Sequence, residues 1–168
     1  MQPTAHSNQL GPGIERQLGE MLVGHVCVVG VGNRHRRDDA AGPQVIDLRR
    51  PETSGVWIDA GVAPENHLEL IVRAKPDTVL LVDAVDFGGR PGDCKITDIN
   101  ALETAAISTH AGSLRLLGEY LSIRSGVRPW VLAIQPRRIE VGEGLSEPVA
   151  STVGRIAALL SDLLSKHG

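Results

Sequence analysis

The chain has 168 residues, of which 42% are hydrophobic and 22% charged, and a formal net charge of −3. That length suits one domain, large enough to bury a core without disulfides. The near-neutral charge excludes binding carried by a basic surface, and the few aromatic side chains (Trp57, Phe87, Tyr120 and Trp130) exclude a base-stacking binder of single strands.

Residues 1–10 carry neither a cationic start nor an apolar stretch, so no signal peptide is read there. The Gly11-Pro12-Gly13 turn precedes a weak helical stretch over 14–22. Residues 1–23 are expected to be a loosely attached extension, and 24–168 a single domain. From residue 25 onward, apolar β-branched runs alternate with helical patterns. Runs at 25–31, 56–60, 78–85 and 130–134 suit strands buried on both faces. Helical patterns fall at 39–50, at 64–74 with Pro64 in a plausible first position, and at 113–123. In the last helix Val149, Val153, Ile156, Leu160 and Leu163 recur at steps of three and four. Residues 86–92 read as a turn, and the short run 94–99 after it as the second arm of a hairpin. That hairpin adds one antiparallel strand to a mostly parallel sheet. The alternation predicts a three-layer α/β/α sandwich. No apolar stretch is long enough to span a bilayer. Cys27 and Cys94 match no metal or redox spacing, so Cys27 reads as a small core hydrophobe, and the expected location is the cytoplasm.

Open α/β sheets carry their sites beyond the carboxyl ends of the strands, where the strand order switches. Three loops are candidates: 29–42, 81–86 and 108–112. Each offers a metal-capable side chain: Asp39 or Asp38, then Asp83, then His110. Two carboxylates and an imidazole form an O,O,N set with positions left open, which suits a catalytic or substrate-borne transition metal rather than a structural one. Singly, each has a plain structural reading. Asp38 can cap a helix or face water, His110 can cap the next helix, and Asp83 must find a partner or lie at the strand end. Their coincidence at one sheet edge is the signal. Other motifs fail. His35 stands where a third glycine would complete the dinucleotide fingerprint begun by Gly30 and Gly32, although Asp59 occupies a ribose-binding position. There is no P-loop, no H-E-x-x-H and no G-x-S-x-G, and nothing marks Ser108 or Ser113 as an activated nucleophile.

Val29-Gly-Val-Gly-Asn33 followed by Asp38-Asp39, Asp59-Ala-Gly61, Val82-Asp-Ala84 and Thr109-His110, in this order and spacing, resemble the nickel-iron hydrogenase maturation endopeptidases from residue 25 to about 164. Ala63-Pro64-Glu65-Asn66 and Ile134-Gln135-Pro136 look like the branch acting on formate-hydrogenlyase-type hydrogenases. The resemblance implies a five-strand mixed sheet with the fourth strand antiparallel. It implies an enzyme that removes the C-terminal peptide of a hydrogenase large-subunit precursor after nickel insertion. It also implies that Asp39, Asp83 and His110 contact that nickel, which serves as the recognition mark. Metal-assisted amide hydrolysis is the expected chemistry, with Asp39 also a candidate general base. The rival readings are a nickel-dependent precursor-binding checkpoint that cuts nothing, and nucleotide binding at Gly30–Gly32. Two features depart from the resemblance: the basic stretch Arg34-His-Arg-Arg37, and Ala40 in place of a glycine.

Overall fold

The computed structural model describes residues 10–165 apart from 12, 106 and 107. Helix α1 (Ile14–Met21) leads into β1 (Val26–Val31), and a short 3-10 turn (Arg37–Ala40) opens α2 (Ala41–Asp47). Then come β2 (Val56–Gly61), a 3-10 turn (Pro64–His67) leading into α3 (Leu68–Ala74), β3 (Thr78–Ala84), β4 (Cys94–Asp98) and α4 (Ile99–Ala105). Helix α5 (Ala111–Ser125), β5 (Trp130–Ile134) and α6 (Glu147–Ser165) complete the chain. The five strands form one sheet in the order β2-β1-β3-β5-β4, and only the β4–β5 pair is antiparallel.

The continuous apolar runs resolve into two cores because successive strand side chains face opposite ways. Val26, Val28, Leu80, Val82, Leu132 and Ile134 face α1, α2 and α6, joining Val45, Val153, Ile156 and Leu160. Cys27, Val29, Val79, Leu81 and Val131 face α3 and α5, joining Ile71, Leu114, Leu117 and Leu121. Cys27 is thus the core residue the sequence predicts, and burial pushes its thiol up to about 12. Among the described residues no helix is long and apolar enough to cross a membrane.

Three expectations need correction. Residues 94–98 do form the antiparallel strand, but not as a hairpin with β3. Strand β5 lies between them, so the 86–92 turn carries the chain past a neighbour made later, to the sheet edge. Helix α4 follows that strand directly and has no counterpart in the sequence reading. The segment preceding residue 24 is not loosely attached where it is described. Ile14, Leu18 and Leu22, spaced by four, are buried in the same core as β1 and α6. Residues 1–9 and 12 lie outside the described part.

Two close approaches set the geometry of the sheet's carboxyl edge. A Cβ on Gly42 would overlap the carbonyl oxygens of Val31 and Val82, and one on Gly30 would overlap that of Gly42. Helix α2 therefore rests directly on β1 and β3. Gly32, at φ 150°, has the Asp39 carbonyl where a Cβ would stand. These glycines are required by packing. The chain leaves β1 to one side for β2 and returns to the other side for β3, so the loops after β1 and β3 meet at the switch point.

Candidate metal centre

Asp39 comes from the 3-10 turn after β1, Asp83 is the penultimate residue of β3, and His110 is the residue preceding α5. The structure brings all three predicted residues together: one ligand atom from each lies within 4.8 Å of the others. Both carboxylates have no exposed surface, and His110 is 9% exposed.

Asp39 accepts the Asn33 amide at 3.1 Å and the Thr109 hydroxyl at 3.2 Å, and His110 Nε2 lies 3.1 and 3.2 Å from its two oxygens. Burial disfavours its charge, but the imidazole, the amide and the hydroxyl outweigh burial and hold Asp39 below the usual carboxylate range. Burial likewise opposes the imidazolium of His110. The Asp39 contact and the charges of Asp83 and Asp39 outweigh that, raising its pKa, with Arg36 pushing the other way.

Asp83 is less well provided for. Ser108 Oγ donates to Oδ2 at 2.6 Å and accepts the His110 amide at 3.0 Å, tying the two site residues together. Oδ1 is buried with no hydrogen-bond partner. Burial pushes this carboxyl up to about 7, against the pull of Ser108 and His110. A buried oxygen without a donor is costly unless something fills the place. A cation held between Oδ1, the Asp39 carboxylate and His110 Nε2 would satisfy it, so the donor set fits a transition metal of the class the O,O,N chemistry favours.

The residues alone leave Asp38 and Asp39 as alternatives and the family resemblance chooses Asp39; in the structure Asp39 joins the cluster and Asp38 does not. Asp38 turns away and is neither a helix cap nor solvated. Its carboxylate accepts the amides of Arg137, Arg138 and Ser146 at 2.8, 3.0 and 2.7 Å, and the Ser146 hydroxyl at 2.8 Å. It pins the loop between β5 and α6 beside the site. Sequence reasoning had no means of finding that contact, because it links residues about a hundred positions apart through main-chain donors that leave no side-chain signature. Ser108 was weighed only as a nucleophile, and here it orients Asp83 and His110. Asp59, the possible ribose-binding acid, instead pairs with Arg34, which also grips Asp47 through both of that residue's oxygens. Ser113 lies in the first turn of α5.

The profile of the HycI hydrogenase maturation protease family matches residues 48–162, which include Asp83 and His110, while Asp39 precedes the matched span. The Hydrogenase 3 maturation protease of Escherichia coli K12 is 33% identical over 126 residues, covering 73% of this chain and 80% of that protein. The crystal structure of the NiFe hydrogenase maturation protease HycI from Thermococcus kodakarensis is 31% identical with a TM-score of 0.78, covering 88% of this chain and 98% of that one. The hydrogenase maturating endopeptidase HybD of E. coli shares the fold at 22% identity, with a TM-score of 0.71 over 86% of this chain and 94% of that one.

Proposed function

This chain belongs to the hydrogenase maturation protease family, and on that premise we propose that it removes the C-terminal peptide of a nickel-iron hydrogenase large-subunit precursor once nickel has been inserted. The nickel arrives with the substrate and marks it as ready. Asp39, Asp83 and His110 hold it, and the observation that carries the reading is the buried, unpartnered Oδ1 of Asp83 within a three-ligand cluster. A nickel ion there supplies Lewis acidity at the bond to be cut.

The chain's own groups divide the work. Asp39, kept ionised, supplies the fixed negative charge that draws the cation. His110 Nε2 must be free of its proton to coordinate, so nickel capture releases a proton and weakens as the medium becomes acidic. Ser108 fixes Asp83 Oδ2, leaving Oδ1 without a donor and available to the metal it would hold. The general base expected from the sequence was Asp39. It stays ionised and so remains able to accept a proton, while both oxygens of Asp83 are committed, Oδ2 to Ser108 and Oδ1 to the metal it would hold. A cytoplasmic setting suits the two free thiols, Cys27 and Cys94.

The test is the intact mass of the precursor after incubation with the protein, with and without nickel loading, and with Asp39→Ala as control. Loss of a C-terminal peptide only from nickel-loaded precursor, and only with Asp39 present, is the expected result. A stable nickel-dependent complex with no change of mass would replace the protease by a binding checkpoint.

A further inference from the structure

The basic stretch Arg34–Arg37 is a departure from the family resemblance that the catalytic reading leaves unused. Its members have separate fates. Arg34 is neutralised by Asp47 and Asp59, and His35 lies 2.9 Å from Glu143. Arg37 donates to the Glu143 carbonyl. Arg36 differs: it is exposed and carries no ion pair among the described residues. Its backbone is fixed on both sides. The Arg36 carbonyl accepts the amide of Asp39, and the residue forms a bridge with Gly142 in the loop between β5 and α6. A free guanidinium is thus rooted one turn ahead of a metal-centre carboxylate, and its charge is felt at the His110 imidazole.

The opposite bank carries a second such group. Arg137 is exposed, has no ion pair among the described residues, and gives its amide to Asp38, the residue next to Asp39. The same buried carboxylate therefore ties the root of Arg137 to the stretch that carries Arg36. Two unpaired cations are thus rooted on segments adjoining a site whose own ligands include two carboxylates, on a chain that is net negative. Unpaired charge held on a fixed backbone next to a catalytic centre is how a protein steers and registers a substrate of the opposite sign.

We propose that Arg36 and Arg137 form a cationic rim that takes an acidic segment of the precursor beside the bond to be cut and sets that bond over the metal centre. Both are positioning residues. They act on capture and register of the substrate, and the metal ligands act without them. The inference rests on the precursor being the substrate, and its test is a binding measurement that does not require cleavage.

The affinity of wild-type protein for nickel-loaded precursor made uncleavable at the scissile bond is measured at low and moderate salt, and compared with Arg36→Glu, Arg137→Glu, Arg36→Lys and, as a distant control, Arg16→Glu. Each rim reversal is expected to weaken binding about tenfold at low salt and to flatten the salt dependence. Arg36→Lys should restore most of the affinity, and Arg16→Glu should leave it unchanged. In otherwise intact enzyme, the rim variants should raise KM more than they lower kcat. Reversals that leave both affinity and salt dependence unaltered overturn the rim, even if the wild-type protein cuts the precursor. Wild-type protein that binds cleavable precursor through the rim but leaves its mass unchanged overturns the protease reading instead. Failure of the wild-type protein to bind precursor at all overturns both.

Discussion

Asp38 and Asp39 are consecutive and equally buried, yet they belong to regions built on opposite principles. Around Asp38 every need is met: four donors, three of them main-chain amides, converge on one carboxylate and close a loop. Around Asp39 and Asp83 the donors run short. One oxygen has no partner, two carboxyls share one imidazole, and burial raises one of the two carboxyls while the imidazole lowers the other. A saturated buried charge is a structural knot, and an under-satisfied one marks a place prepared for something from outside. The contrast sorts adjacent residues of identical chemistry into different duties.

Substitutions that pull the two regions apart give the largest effects. Asp83→Asn and Asp39→Ala should each lower precursor cleavage by at least about 100-fold in a mass-spectrometric time course, while circular dichroism stays native. Persistent cleavage by both variants removes the site assignment. Asp38→Ala should behave in the other way. It orphans several buried donors, costs about 3 kcal/mol or more, and should lower Tm by roughly 6–12 °C. An unaltered Tm would mean that the knot does not hold the loop.

A pH series sharpens the same contrast. The raised proton affinity of Asp83 means that the folded chain binds a proton which the unfolded chain releases between about pH 4 and 7. Asp83 therefore lowers stability as pH rises through that window. Metal-free Asp83→Asn should melt a few degrees above the wild type at pH 7.5, with the gap closing by about pH 4. An equal gap at both pH values would show that the carboxyl does not titrate there. The smallest effect is expected of Ser108→Ala. Loss of a hydroxyl that orients a ligand should slow cleavage about 10-fold, with Tm changing by only a few degrees.

The sheet and most helices were legible because their signals are local and repeated. Long apolar runs required strands covered on both faces, and the spacing of Val149, Val153, Ile156 and Leu160 required a helix with one buried side. Asp83 was legible for a related reason, as a charge interrupting such a run. What sequence could not supply was partnership across distance. Nothing local says that the strand at 94–98 skips its predecessor to pair with one made later, nor that Ser146 rather than water satisfies Asp38. The same gap left Asp38 and Asp39 interchangeable on paper, since only the direction of each side chain separates them. The packing of Ile14, Leu18 and Leu22 was within reach, but polar residues and a Gly-Pro-Gly turn obscured a short amphipathic pattern.

The place of β4 bears on how the protein is made. Its hydrogen-bonding neighbour in the sheet is β5, which the ribosome delivers about thirty residues later. Until then β4 waits as an unpaired edge, whereas β1, β2 and β3 can already assemble and bring Asp39 and Asp83 side by side. Synthesis thus offers a nascent chain with its two acids gathered and its far edge open, and release of the last segments closes the sheet. Slowing translation between β4 and β5 would lengthen that vulnerable interval, which makes this stretch the point where chaperone capture of the newborn chain should concentrate.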